Sequence, residues 1–256
     1  MRQWAAFTKK EGMELFRSGR LVVLLLLSGL FGVMSPAIAK LTPWMMELLS
    51  DQLAESGMVV GTVEVDAMTS WMQFYKNMPM MLVVMVVMFG GIVIGELQKG
   101  TLIPMVAKGM KRRRLLYAKA FMIAVVWTGG YLLSYVVTYA YNAYFWDNAA
   151  ASHLFLAAFC FWLFGLWILS VILPASVCAR SAAAVILTAG IGFVISYVLT
   201  VIPVMKPYSP MYLLESMPLL TGETAAGDYI SALSVTAGLV ILNLIAAVYF
   251  FDKKRL

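Results

Sequence analysis

The sequence predicts an all-α polytopic membrane protein with six transmembrane helices. Of the 256 residues, 62% are hydrophobic and 12% are charged, whereas a typical soluble domain has about 25% charged residues. Six long apolar runs contain no Asp, Glu, Lys, Arg or His, and a helix needs about 20 such residues to cross a bilayer. Barrel strands are shorter, about 10 residues, and alternate in polarity, so the runs indicate helices. The predicted spans cover residues 21–39, 78–95, 121–143, 154–173, 182–204 and 230–251.

The distribution of charge predicts the orientation of these spans. With the N-terminus in the cytosol, six spans return the C-terminus to the cytosol, and 16 of the 19 Lys and Arg residues then lie on the cytosolic side. Nine of the 13 acidic residues lie on the opposite side. Because an excess of Lys and Arg marks cytosolic loops, both termini are predicted to be cytosolic. The charge distribution also explains the net charge of +6 without nucleic-acid binding.

The segments between the spans complete a single transmembrane domain, residues 1–256. Residues 1–20 mix aromatic and basic side chains, which indicates a helix lying in the membrane interface. The acidic outer loop 40–77 begins with an expected helical extension that Pro43 breaks. The outer segment 203–229 contains MYLLESMPLL, which is apolar but too short to cross, and it predicts an interfacial or re-entrant element.

Polar side chains on the third span predict helix packing. Ser134, Thr138 and Asn142 are spaced four residues apart, so they share one helix face. Interhelical hydrogen bonds are the favoured interpretation, ahead of a pathway lining.

Several kinds of chemistry have no signature in the sequence. No phosphate-binding G-x-x-x-x-G-K-[ST] motif, no H-E-x-x-H motif and no Cys/His cluster with metal spacing occurs. The predicted spans lack the ionisable groups that proton- or ion-coupled carriers use. Met81, Met85 and Met88 lie at helical spacing, and packing or the lining of a hydrophobic pathway is favoured over a Cu(I) site. No catalytic, cofactor or metal residue is therefore assigned.

The basic segment 95–119 has the most distinctive pattern. It carries seven basic residues and one acid, Glu96. Attraction to anionic lipids explains the charge, at about 1 kcal/mol for each Lys or Arg. It does not explain the order of residues, in which Glu96 is followed by Gly100-Thr101-Leu102, an apolar turn, Gly109 and Lys119. Lipid binding alone and docking of a partner protein are both open at this point.

That order resembles the cytosolic loop of type-2 ABC exporter permeases, in which an acid, Gly-Thr-Leu, apolar residues, Pro and a basic residue precede a Lys at the next span. The spacing from Gly100 to Arg112 and Lys119 is similar, whereas Gly109 stands where the family often has Pro. The family also has six spans, a basic surface helix before the first span and an apolar re-entrant segment before the last. Residues 208–222, YSPMYLLESMPLLTG, resemble the Ser-Pro…Leu-Leu-x-Gly stretch of that segment.

The resemblance implies a permease subunit, not itself an enzyme, in a bacterial cytoplasmic membrane. Two ATPase subunits would bind ATP and Mg²⁺, and a second permease subunit, identical or a sister, would complete the exporter. An amphipathic peptide, a bacteriocin or a lipophilic drug is the expected cargo. Alternatives are a permease of the same fold for copper-site maturation or another periplasmic process, and a non-transporting immunity or scaffold protein. The resemblance implies that the loop 96–119 couples to the ATPase through Glu96, Gly100, Thr101, Lys108, Gly109, Lys111, Arg112, Arg113, Arg114 and Lys119. Within that loop, Gly100 is expected to let the chain turn sharply out of the membrane, and Thr101 is expected to cap the short helix that follows.

Overall fold

The computed structural model describes residues 2–55, 65–101 and 111–254, and the regular structure in these ranges is helical. The helices are α1 (Arg2–Arg17), α2 (Arg20–Glu55), α3 (Ala67–Phe89), α4 (Ile94–Gln98), α5 (Arg112–Phe145), α6 (Leu154–Cys178), α7 (Ala182–Val201), α8 (Ser216–Thr221) and α9 (Ile230–Lys253). Short 3-10 turns occupy Asn148–Ala150, Lys206–Tyr208, Pro210–Leu214 and Ala226–Tyr229.

Among the described residues, six helical segments are long and apolar enough to cross a membrane. The chain is thus a multi-pass, all-helical membrane protein, as its composition predicts. These segments are Arg20–Leu48, Ala67–Gln98, Arg112–Phe145, Leu154–Cys178, Ala182–Val201 and Ala226–Lys253.

The helices extend beyond the apolar runs. α5 begins at Arg112 although its run begins at residue 121, and α2 continues to Glu55 although its run ends at residue 39. Hydropathy marks the apolar runs, whereas the helical backbone hydrogen bonding continues through the polar residues beside them. The expected break at Pro43 is wrong, because α2 is continuous through Pro36 and Pro43.

Two groups of helices form the bundle. α2 packs against α3 and α5, α6 packs against α7 and α9, and the contact of α5 with α6 joins the groups. At one end, Gln98 donates to the carbonyl of Arg180 at 2.7 Å, and Arg112 donates to the carbonyl of Lys254. We call this the basic end. At the opposite end, Trp71 donates to Asn148 at 3.0 Å.

α2 and α5 run parallel in close contact. Pro36 has no N–H, so the carbonyl of Gly32 lacks its usual helical donor. The Oγ1 of Thr138 donates to that carbonyl at 2.8 Å, and the Oγ of Ser134 donates to the carbonyl of Ser28 at 2.7 Å. A Cβ on Gly32 would lie 2.9 Å from the carbonyl oxygen of Ser134. The predicted interhelical hydrogen bonds are confirmed for Ser134 and Thr138.

Asn142, the third member of that face, is fully buried like the other two. Its side-chain oxygen and nitrogen have no hydrogen-bond partner among the described residues. The shared helix face therefore positions Asn142 in the packed interior, but the predicted hydrogen bond is absent there.

Aromatic side chains fill the contact between α5 and α6. The indole of Trp127 donates to the carbonyl of Trp162 at 3.0 Å, while the indole of Trp162 donates to the hydroxyl of Thr128 at 3.0 Å. Gly165 allows this approach, because a Cβ there would lie 2.1 Å from the ring of Trp127. These two hydrogen bonds therefore fix the register of α5 against α6.

The segment 203–229 folds as short helical turns against α6, α7 and α9. Leu213, Leu219 and Leu220 are buried, which explains the apolar middle of the segment. The hydroxyl of Tyr229 donates to the carbonyl of Glu215 at 2.5 Å, and the rings of Tyr229 and Tyr212 stack with centroids 4.7 Å apart. These contacts tie the segment to the beginning of the last span.

Candidate functional site

Three helices bring charged side chains together at the basic end. α1 contributes Lys10, Glu11 and Glu14, α4 contributes Glu96, and α5 contributes Lys119. We call these five residues the ion-pair cluster. Two of them, Glu96 and Lys119, are the first and last residues of the predicted coupling loop 96–119, and the other three lie on α1.

Lys119 is the centre of the cluster. Its Nζ lies 3.0 Å from Oε2 of Glu11 and 2.9 Å from Oε2 of Glu96. The side chain of Lys119 is 1% exposed, compared with 7% for Glu11 and 14% for Glu96. A lysine buried to this degree requires opposite charges, and the two glutamates provide them from different helices.

Lys10 contacts all three carboxylates of the cluster from its more exposed side. Its Nζ lies 2.9 Å from Oε1 of Glu96, 3.2 Å from Oε1 of Glu11 and 3.2 Å from Oε2 of Glu14. Partial burial by itself lowers the pKa of Lys10, but the carboxylates of Glu96 and Glu11 outweigh it, so the pKa lies above the ordinary lysine value. Lys10 therefore stays charged at every physiological pH.

Phe7 supports both cations. The Nζ atoms of Lys10 and Lys119 lie 5.1 Å and 5.7 Å from the centroid of its buried ring. At such distances the face of an aromatic ring attracts an ammonium group. Phe7 thus fixes α1 against the cluster by packing and by electrostatic attraction.

The cluster has the carboxylates that a metal ion would use. Ligand oxygens of Glu11, Glu14 and Glu96 lie within 4.8 Å of one another. The ammonium groups of Lys10 and Lys119 already contact these carboxylates at 2.9–3.2 Å. The positive charge that a metal would supply is therefore provided by lysines, and we assign no metal to the cluster.

The backbone turns out of α4 at the predicted position. Gly100 has φ +67°, in the left-handed region where glycine avoids a steric penalty. The hydroxyl of Thr101 donates back to the carbonyl of Glu96 at 3.3 Å, so it helps to close the end of α4. Its expected role as the cap of a following helix lies outside the described residues, as do Lys108 and Gly109.

The basic residues at the start of α5 have different surroundings. Arg112 donates to the carbonyls of Phe251 and Lys254, and Arg113 pairs with Asp252 at 2.8 Å. Both arginines therefore fasten α5 to the end of α9. Lys111 is exposed. Contact of these residues, and of Arg114, with an ATPase stays a prediction.

The methionines of the possible pathway lie on the interior side of α3. Met81 and Met85 are 1% and 0% exposed, and Met88 packs at the edge of the core. A Cβ on Gly130 would lie 2.8 Å from the terminal methyl of Met81 and 3.4 Å from that of Met85. These side chains fill the space beside α5, and a pathway role for them stays a prediction.

Sequence reasoning missed the contribution of α1. Glu11 lies four residues after Phe7 and four before Leu15. All three are buried, as i and i+4 positions on one helix face should be. An acid on the apolar face of α1 was the available signal, but its partner Lys119 was not evident from the sequence.

Comparison of the chain with protein-family models and with curated proteins found no significant match in either case.

Proposed function

We propose that this chain is the permease subunit of an ATP-driven ABC exporter. The observation that carries the proposal is the ion-pair cluster, which ties both flanks of the loop 96–119 to α1. A force applied to that loop by a partner protein would reach α1, α4 and α5 together. A coupling element needs such a rigid connection to the membrane helices.

The proposal includes a definite topology. The basic end, with both termini and the loop 96–119, faces the cytosol of a bacterial cell across its cytoplasmic membrane. The 16 to 3 division of Lys and Arg residues supports this orientation. The segment 203–229 then lies on the outer side as a re-entrant or interfacial element.

The energy source in this proposal is a separate ATPase. Two ATPase subunits bind ATP and Mg²⁺, and a second permease subunit, identical or a sister, completes the exporter. The absence of a phosphate-binding loop from the sequence and of ionisable residues from the six apolar runs supports an external, mechanical drive. The cargo we propose is an amphipathic peptide, a bacteriocin or a lipophilic drug, which suits an apolar interior.

Charge reversal in the coupling loop tests the proposal. Arg112 and Arg113 are poor positions, because changing them also breaks their contacts with α9. Lys108→Glu/Lys111→Glu reverses two charges of the loop, and the side chain of Lys111 is exposed. We expect the tagged wild-type chain to co-purify with a Walker-motif ATPase from its own cells, and the double variant to lose it.

Lys76→Glu is a control for charge reversal outside the loop, since Lys76 is an exposed lysine on α3, before the methionine-rich part of the span. It should retain the ATPase. A wild-type chain that carries no ATPase would favour the scaffold or immunity alternative. Retention of the ATPase by the double variant would contradict the role assigned to the loop.

A further inference from the structure

A cavity of about 570 Å³ opens beside the ion-pair cluster, between α1, the start of α2 and residues 88–101. The buried side chains of Leu15 and Phe89, together with Met88, form its apolar floor. The exposed side chains of Arg20 and Lys99 lie at its rim. The cavity therefore combines an apolar base with a charged entrance.

The charges that line this cavity do not cancel. Four cationic residues and three carboxylates face it, which leaves one positive charge in excess; these residues are Lys10, Arg20, Lys99, Lys119, Glu11, Glu14 and Glu96. Lys10 and Lys119 are engaged with the carboxylates at 2.9–3.2 Å. No ion pair joins Arg20 or Lys99 to another described residue. A ligand with one negative charge would neutralise the cavity.

The position of the two rim cations along their helices indicates the depth of the cavity. Arg20 is the first residue of the span Arg20–Leu48, and Lys99 directly follows the span Ala67–Gln98. Residues at the ends of spans lie where the hydrocarbon gives way to lipid headgroups. The entrance of the cavity is therefore at the level of lipid phosphates.

An apolar groove adjoins the cavity through Leu15, which lines both spaces. This groove has a volume of about 350 Å³ and lies between α2 and α5, with Leu24 and Met122 among its lining residues. A molecule with an acyl chain could thus place its polar group at Arg20 and Lys99 and its apolar part beside Leu15. A charged cavity beside an apolar groove favours a phospholipid over a soluble phosphate as the ligand.

We propose that the cavity binds the headgroup phosphate of an anionic phospholipid, with Arg20 and Lys99 as its cationic ligands. A phospholipid whose phosphate is esterified to an uncharged alcohol carries one negative charge, which would neutralise the one excess positive charge of the cavity. A zwitterionic lipid carries no net charge and would leave that positive charge unneutralised. The proposal requires only that the helices cross a membrane, so it does not depend on the transport function.

Native mass spectrometry of the purified full chain tests the site. The protein is presented with equimolar phosphatidylglycerol and phosphatidylcholine of the same acyl chains, and we expect selective retention of phosphatidylglycerol. Arg20→Gln/Lys99→Gln should weaken that binding about 30-fold, and each single variant about fivefold, since a Lys or Arg near anionic lipid contributes about a factor of five. Glycerol phosphate at millimolar concentration should not displace the lipid.

Lys9→Gln/Arg17→Gln is the matched control. It removes the same charge from exposed positions near the basic end that do not line the cavity, and binding should stay near the wild-type value. Equal retention of both lipids by the wild type, or equal losses in the two double variants, would overturn the proposal. Displacement by glycerol phosphate would overturn the lipid assignment. If the Arg20→Gln/Lys99→Gln protein is unstable, the single variants and the wild-type lipid preference decide the question.

Discussion

The Nζ of Lys119 lies 3.0 Å from Oε2 of Glu11, although the two residues are 108 positions apart and their side chains are only 1% and 7% exposed. Burial of such a pair has a desolvation cost that its own attraction offsets only in part. The pair also constrains the packing of three helices, because the ammonium group of Lys119 on α5 donates to a carboxylate of α1 and contacts a carboxylate of α4. The pair thus helps to position α1 on the bundle, together with the buried side chains of Phe7 and Leu15.

Loss of the central cation should be strongly destabilising. In Lys119→Met, Lys10 is the one cation among the described residues that still contacts the carboxylates of Glu11 and Glu96, and both carboxylates remain largely buried. Removing one partner of a buried ion pair typically costs about 3–5 kcal/mol. Reversible unfolding of the purified protein in bicelles should show a loss of free energy of this size.

Two comparisons isolate the cause of that loss. Lys111→Met removes an exposed lysine one residue before the same helix and should leave the free energy of unfolding nearly unchanged. Adding Glu11→Gln to Lys119→Met should recover part of the stability, because a buried negative charge is removed. If the effects of Lys119→Met and Glu11→Gln on the free energy of unfolding were simply additive, the two side chains would not be energetically coupled.

Thr138→Val tests the hydrogen bond that satisfies the carbonyl freed by Pro36. The substitution keeps the side-chain shape but removes the donor to the Gly32 carbonyl. Interhelical hydrogen bonds in membranes contribute about 0.6 kcal/mol on average and up to about 1.7 kcal/mol. We expect a loss near the upper value, since Pro36 leaves no helical donor to compensate.

Thr188→Val on α7 is the control for that measurement. The hydroxyl of Thr188 is exposed and donates within its own helix to the carbonyl of Ala184, which already has a backbone donor. Removal of this hydroxyl should leave the free energy of unfolding nearly unchanged. A similar loss in both variants would show that the freed carbonyl has no special importance.

Gly165→Ala tests the contact between α5 and α6. Its Cβ would lie 2.1 Å from the Trp127 ring, so the indole or the helix must move. Overpacking of this kind typically costs about 1–3 kcal/mol. Gly190→Ala, where a Cβ meets nothing within 4 Å, should be neutral or slightly stabilising in the same denaturant titration.

Cysteine labelling tests the proposed orientation. Arg180→Cys and Glu223→Cys place thiols at exposed positions at opposite ends of the bundle, in a background carrying Cys160→Ala and Cys178→Ser. A membrane-impermeant maleimide should label position 223 in intact cells and position 180 only after permeabilisation. The reverse pattern would contradict the positive-inside assignment.

The sequence by itself determined the fold class, because the six apolar runs leave a helix as the only backbone structure that satisfies its own hydrogen bonds in lipid. Helical spacing also predicted that Ser134 and Thr138 face another helix. The local turn at Gly100 was predictable for the same reason, since glycine is the residue that adopts positive φ without strain. Each of these conclusions depends on short-range geometry.

Only the tertiary structure decided which charges meet. Glu11, Glu96 and Lys119 belong to three separate helices, and the sequence gives no distance between them. Their pairing depends on the angle at which α1 lies against α5 and on the depth at which α4 ends. The helix ends could not be predicted either, because hydropathy marks only the apolar runs, whereas α2 and α5 extend as helices through the polar residues beside those runs. The basic segment was thus recognisable from its composition, but the buried lysine that connects it to the N-terminal helix depended on packing.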